Sequence, residues 1–171
     1  MGRDKASLVL GGETLSARTG RLLAAVAKPV LEVGPGWSGL ATAGPDLGEG
    51  PLTGIAAGWR SLRQQGFRGD VIVLATDLPS LTADVLAWMA SRPETVSVVP
   101  VVEGRAQPLC ARWCEEDLER VVVLVEGGVR AVLSALGPDT AYLDEAEWAG
   151  VATAGAFRDA DRPGDLACGR G

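Results

Sequence analysis

The stretch Val71-Ile72-Val73-Leu74-Ala75 is continuously apolar, rich in β-branched residues, and stops abruptly at Thr76-Asp77-Leu78-Pro79. A strand with no polar alternation has no face to offer water, so it must be covered on both sides, as in a parallel sheet between two helical layers. The flanking segments supply such layers. Leu52, Ile55, Trp59 and Leu62 fall at i, i+3, i+7 and i+10 on one helix face, and Gly66 and Gly69 end that helix. Beyond the strand, Thr82 can cap a further helix with Asp84 in its first turn.

The same alternation runs along the whole chain. Leu8-Val9-Leu10 turns at Gly11-Gly12 into a helix starting near Thr14, with Leu15, Leu22, Leu23 and Val26 on one face. Val30 to Val33 reads as a strand ended by Gly34-Pro35-Gly36, and a Gly/Pro-rich loop continues to about Pro51. Val96 to Val102 reads as a strand turned by Glu103-Gly104-Arg105. Glu115 to Val125 has an acidic first turn and helical spacing, although its valines equally suit a strand. Val129 to Leu136 looks helical, ending at Gly137-Pro138. Phe157 opens a last extended piece before a helical turn at Pro163. The expectation is an α/β fold, a three-layer α/β/α sandwich on a mostly parallel sheet, with residues 1–171 as one domain.

Composition narrows the chemistry. The chain has no histidine, which excludes Ser-His-Asp triads, Cys-His pairs and His-containing zinc sites. Its 16 basic and 22 acidic residues give a net charge of −6, which argues against a nucleic-acid binder. A small anionic ligand would need a locally positive pocket or a divalent cation. Cys110, Cys114 and Cys168 form no Cys-x-x-Cys pair and read as inert thiols in a reducing compartment. No apolar run suits a membrane span or signal peptide, so the expected location is the cytoplasm.

In open α/β sheets ligands sit beyond the carboxyl ends of the strands, which makes Asp77 the leading site candidate, as a magnesium ligand or as a turn-stabilising carboxylate. The loop Asp46-Leu47-Gly48-Glu49-Gly50-Pro51-Leu52-Thr53-Gly54 delivers small residues onto a helix start, where backbone can approach a ligand closely. Asp46 could accept paired N–H donors from a guanine edge or ribose hydroxyls. Lys5 by itself reads as a solvated terminal charge. Of the tryptophans, Trp37 in the Gly-rich loop is the one expected to report nucleotide binding by fluorescence.

In combination, Met-Gly-Arg-Asp-Lys-Ala at 1–6, the loop at 46–54, Val-Leu-Ala-Thr-Asp-Leu-Pro at 73–79, Val-Pro-Val-Val-Glu-Gly-Arg-Ala-Gln-Pro-Leu-Cys-Ala at 99–111 and Asp-Arg-Pro-Gly-Asp-Leu at 161–166 resemble the molybdenum cofactor guanylyltransferases, a MobA-like nucleotidyltransferase family. The resemblance implies a Rossmann-like fold and an enzyme that uses GTP and Mg2+ to attach GMP to molybdopterin, releasing pyrophosphate, with the product passed to molybdoenzymes. It implies Lys5 as phosphate-contacting and catalytic, Asp46 as nucleotide-binding, and Asp77 as catalytic, nucleotide-binding and the metal ligand. Gln107 and Pro108 fall on the pterin side.

Two departures stand out. The family's first strand and its Gly-rich loop, Leu-Ala-Gly-Gly-x-Ser-x-Arg, precede the Met-Gly-x-Asp-Lys segment, and the sequence opens after them; the expectation is a start codon placed too far downstream. The C-terminal motif, usually Asn-x-Asn-Thr-Pro, is here Asp159-Ala160-Asp161-Arg162-Pro163. The competing readings are CMP transfer by the same fold and a catalytically silent paralogue acting as a binding partner.

Overall fold

The computed structural model describes residues 5–44, 50–126, 128 and 131–160, Lys5 through its backbone alone. After a 3-10 turn at Lys5–Ser7, β1 (Val9–Leu10) and β2 (Glu13–Thr14) form an antiparallel hairpin. Its turn is Gly11-Gly12, at φ of 62° and 93°, a backbone that a side chain would strain. Thr14 then caps α1 (Leu15–Ala24), its hydroxyl accepting the Ala17 N–H at 3.0 Å. The strand expected at Val30–Val33 is reduced to β3 (Leu31–Glu32), which pairs in parallel with β4 (Ala41–Thr42). α2 (Pro51–Gln64) opens on a proline, whose missing N–H is harmless in a first turn. The long apolar run forms β5 (Val71–Leu74), followed by α3 (Ala83–Ala90). Thr82 stands at the cap of α3 with Asp84 in the first turn, but its hydroxyl makes no capping hydrogen bond.

β6 (Val98–Val102), β7 (Arg105–Ala106) and β8 (Cys110–Trp113) follow, then α4 (Glu115–Glu126), β9 (Ala141–Leu143) and α5 (Glu145–Trp148). The ambiguous valine-rich segment is therefore a helix. Its Glu115, Glu116 and Asp117 occupy the first turn, where the helix dipole favours them.

The expectation of a mostly parallel sheet is corrected. The principal sheet runs β5-β8-β6-β7, with β9 beside β6, and only the β6·β9 pair is parallel. The reason lies in connection length. Glu103 and Gly104, both at positive φ, turn β6 back into β7, and the short segment to Cys110 brings β8 between β5 and β6, antiparallel to both. Parallel neighbours need a long crossover, and these turns are too short for one.

Helices nevertheless cover both faces, as a strand without polar alternation demands. Ile72, Leu74 and Cys110 pack with Leu22, Val85, Leu86, Met89 and Trp148, whereas Val71, Val73, Ala111 and Trp113 pack with Ile55, Trp59, Leu118 and Val121. Successive strand residues thus enter opposite cores. Arg112 breaks this apolar pattern. Its side chain is 8% exposed, donates to the main-chain carbonyl of Arg92 at 2.7 Å and to that of Glu94, and lies 3.4 Å from Asp70.

Two further expectations change. In place of a helix over Val129–Leu136 there is a 3-10 turn at Val132–Ala135, with Val129 outside the described residues. Phe157 closes a 3-10 turn, Ala154–Phe157, rather than opening an extended piece, because its ring packs on Trp148 at a centroid distance of 5.2 Å. The segment at Pro163 lies outside the described residues. No described helix is long and apolar enough to cross a membrane.

Candidate active site

A cavity of about 590 Å³ lies between β3 and β5, walled by α1 and α2. Three of the sequence motifs reach it: Ala6, next to Lys5; Pro51 and Gly54 at the start of α2; and Thr76-Asp77 at the carboxyl end of β5. Asp77 therefore stands where the strand-end argument puts it. Asp46 and Asp161 lie outside the described residues.

The turn that carries Asp77 is held from two sides. The Asp77 carbonyl accepts the Ala160 N–H at 2.8 Å, which brings the C-terminal motif, with Asp159, beside it. From α1, Arg18 donates to the carbonyls of Pro79 and Leu81, each at 3.0 Å, and so clamps the chain just past Asp77. The Ala75 N–H donates to the Leu109 carbonyl at 2.7 Å, extending the β5–β8 pairing by one bond. Gln107 lies in the turn before β8 and is not on the cavity wall: its carbonyl accepts the Cys110 N–H and its N–H donates to the Pro100 carbonyl, each at 2.9 Å. The Gln107 side-chain amide donates to the Arg105 carbonyl at 3.2 Å.

A second polar structure lines the cavity from β3. The Glu32 carboxylate accepts the N–H groups of Gly36 and Trp37 at 3.0 Å and of Ser38 at 2.7 Å, and also the Ser38 hydroxyl. Burial works against its charge, yet the Ser38 hydroxyl and the Ser38, Trp37 and Gly36 amides outweigh it and hold the carboxyl below the ordinary glutamate range. Glu32 thereby orders the Gly-Pro-Gly-Trp loop. Trp37 is 49% exposed and does not line the cavity, whereas the buried Trp59 does.

Arg18 and Glu32 were absent from the residues singled out by sequence. A carboxylate inside the apolar Val30-Leu31-Glu32-Val33 run was the available signal for the second. Arg18 carried none, since its partners are main-chain carbonyls 61 and 63 residues away. Among the described residues no group of three His, Cys, Asp or Glu side chains is placed to hold a metal, so Asp77 enters as a single carboxylate. Cys110 is buried and its thiol pushed up to about 12 by that burial, in keeping with an inert role; Cys114 is likewise unbridged.

A family model described as the MobA-like NTP transferase domain matches residues 1–141. The chain belongs to that family. Among curated MobA-like relatives, a protein of Rhizobium leguminosarum named molybdenum cofactor guanylyltransferase is 31% identical over 139 residues, covering 74% of this chain and 64% of that one. A protein of Opitutus terrae, named "Probable molybdenum cofactor guanylyltransferase", is 38% identical over 123 residues, covering 65% of this chain and 58% of that one. The chain thus spans about three fifths of the length of these two relatives. The fold is also that of molybdopterin-guanine dinucleotide biosynthesis protein A from Archaeoglobus fulgidus, at a TM-score of 0.69 and 19% identity over 97% of this chain and 88% of that one.

Proposed function

We propose that this MobA-like chain transfers GMP from GTP to the terminal phosphate of molybdopterin, releasing pyrophosphate, in the cytoplasm. The observation that carries the reading is Asp77, set at the carboxyl end of β5 on a cavity wall, its turn pinned by Ala160 and Arg18. The names of the curated relatives supply the substrates.

In this reaction a phosphate oxygen of molybdopterin attacks the α-phosphorus of GTP. One P–O bond forms, the bond to the β-phosphate bridging oxygen breaks, and its electron pair leaves with pyrophosphate. The attacking oxygen is already anionic, so no general base is required, which suits a chain without histidine. The protein's tasks are alignment and charge stabilisation. Lys5 would set a point charge on the phosphates and Asp46 would read the base. Gln107 and Pro108 would face the pterin.

Magnesium fits the donor chemistry, because it binds through one or two carboxylates completed by phosphate and water oxygens. Asp77 would hold it, and Ala160, whose N–H meets the Asp77 carbonyl, brings Asp159 of the C-terminal motif to the same turn as a further candidate carboxylate. When bound, the ion neutralises charge on the transferring and leaving phosphates.

Pyrophosphate release by the purified chain with GTP, molybdopterin and MgCl2 tests the reading. Asp77→Asn is expected to lower turnover by about 10²–10³-fold with the unfolding midpoint unchanged. Full activity in folded Asp77→Asn would refute the site. Faster turnover with CTP, or none with either nucleotide, would refute guanylyl transfer.

A further inference from the structure

The segment between β5 and α3 carries Asp77, and two kinds of interaction hold it. Its side chains Leu78 and Leu81 are buried in the core that Leu22, Val85 and Leu86 share. Such packing is non-directional, so it keeps the turn against the protein without fixing how its peptide planes are oriented. Hydrogen bonds supply that orientation. Within the turn the Leu81 N–H donates to the Leu78 carbonyl at 3.3 Å, and the Ala160 N–H meets the carbonyl of Asp77 itself. From α1, the Arg18 Nε donates to the Pro79 carbonyl and its Nη2 to the Leu81 carbonyl, each at 3.0 Å, two and four residues past Asp77.

Arginine suits this task for a geometric reason. Its guanidinium presents donors in a fixed planar fork, so gripping two carbonyls sets the direction of the chain between them as well as its position; a lysine ammonium is a single point on a flexible stem. The clamp also stands on a firm base. α1 starts at the Thr14 cap, and Leu15, Ser16, Thr19 and Leu22 on either side of Arg18 are buried. A carboxylate that serves Mg2+ needs such support, because the ion takes its oxygens at about 2.0–2.1 Å in near-octahedral geometry and a ligand displaced by more than about 0.5 Å no longer fits.

We propose that Arg18 is the positioning residue of the metal carboxylate: by fixing the Pro79 and Leu81 carbonyls it sets the orientation in which Asp77 meets a divalent cation. The inference rests on the reading of Asp77 as the metal ligand. Arg18 acts through the turn alone, so its effect on metal binding exists only while the Asp77 carboxylate is present.

The probe is Mn2+, titrated into the full 171-residue chain and followed by the electron paramagnetic resonance of the free ion. Asp77→Asn is expected to weaken binding by removing the ligand. Arg18→Met should weaken it by about 10–100-fold, the scale on which partners of a metal ligand act. Arg18→Lys, which keeps the charge and loses the fork, should lose at least about tenfold. The Arg18→Met/Asp77→Asn double variant should bind as Asp77→Asn alone does, since the two residues act as one unit. Without metal, amide exchange at Leu81 should quicken by at least about tenfold in Arg18→Met while Val71 and Val73 keep their protection. If Arg18→Met does not fold, Arg18→Lys carries the test.

Unchanged Mn2+ affinity in the folded Arg18 variants, with Asp77→Asn weakened, would overturn the proposal and leave the metal reading standing. An equal loss from Arg18→Met with and without the Asp77 carboxylate would also overturn it, making Arg18 a residue of the fold alone. Mn2+ affinity that does not depend on Asp77 would refute the metal reading, and the proposal with it.

Discussion

β5 and β8 are neighbours of equal length, yet they live in different environments. β5, Val71-Ile72-Val73-Leu74, is wholly apolar and only half-buried at every position, whereas β8, Cys110-Ala111-Arg112-Trp113, contains an arginine and is buried throughout. The difference is their edges. β8 has β5 on one side and β6 on the other, while β5 has β8 on one side and the cavity on the other. Burial of a strand is therefore set by its lateral neighbours as much as by its own hydrophobicity. Arg112 can be buried because the carbonyls near the end of α3 and beyond it accept from its two terminal guanidinium nitrogens, while its Nε makes no hydrogen bond and has the Asp70 carboxylate at 3.4 Å.

Truncations along the two strands test this contrast. Trp113→Ala, in the closed part, should cost about 3–5 kcal/mol in urea unfolding, as for a fully packed aromatic. Val73→Ala, beside the cavity, should cost about 1 kcal/mol. Comparable losses at the two positions would dissolve the distinction. Arg112→Met keeps an apolar stem but strips donors from part-buried carbonyls, and about 2–3 kcal/mol of destabilisation is expected by the same measurement. A neutral result would mean that those carbonyls find water and that β8 does not depend on the clamp.

The smallest effect concerns the loop on the open side. Glu32→Gln should destabilise by about 1–2 kcal/mol near pH 7, because charge strengthens the bonds from residues 36–38. The carboxyl is held below its ordinary value of 4.5 in the folded chain, so its stabilisation is complete above that value and is lost as pH falls through the folded value. The gap between wild type and variant in thermal unfolding should close as pH falls below about 4.5; a gap independent of pH would remove the charge from the account.

Much of the fold was legible. The helix face at Leu52, Ile55, Trp59 and Leu62 is buried as its spacing implies, and α1 begins at the cap that Thr14 provides. Sheet direction was not legible, because a continuous apolar run reports that both faces are covered and says nothing of how its neighbours run. The candidate site divides similarly. Asp77 could be found from a strand that stops at a carboxylate. Arg18 could not, since its role consists of bonds to main-chain carbonyls that carry no side-chain signature.

The amino-acid order alone determined the helices α1, α2 and α3 and the strands β5 and β6, that β5 is sheathed on both faces, and which motifs point to nucleotidyl transfer, because those follow from local periodicity and residue chemistry. Tertiary structure decided what depends on distant partners: the antiparallel insertion of β8, the burial of Arg112, and the approach of Ala6, Pro51 and Asp77 to one cavity. Lateral pairing and long-range main-chain hydrogen bonds are properties of two segments together, and neither segment encodes them by itself.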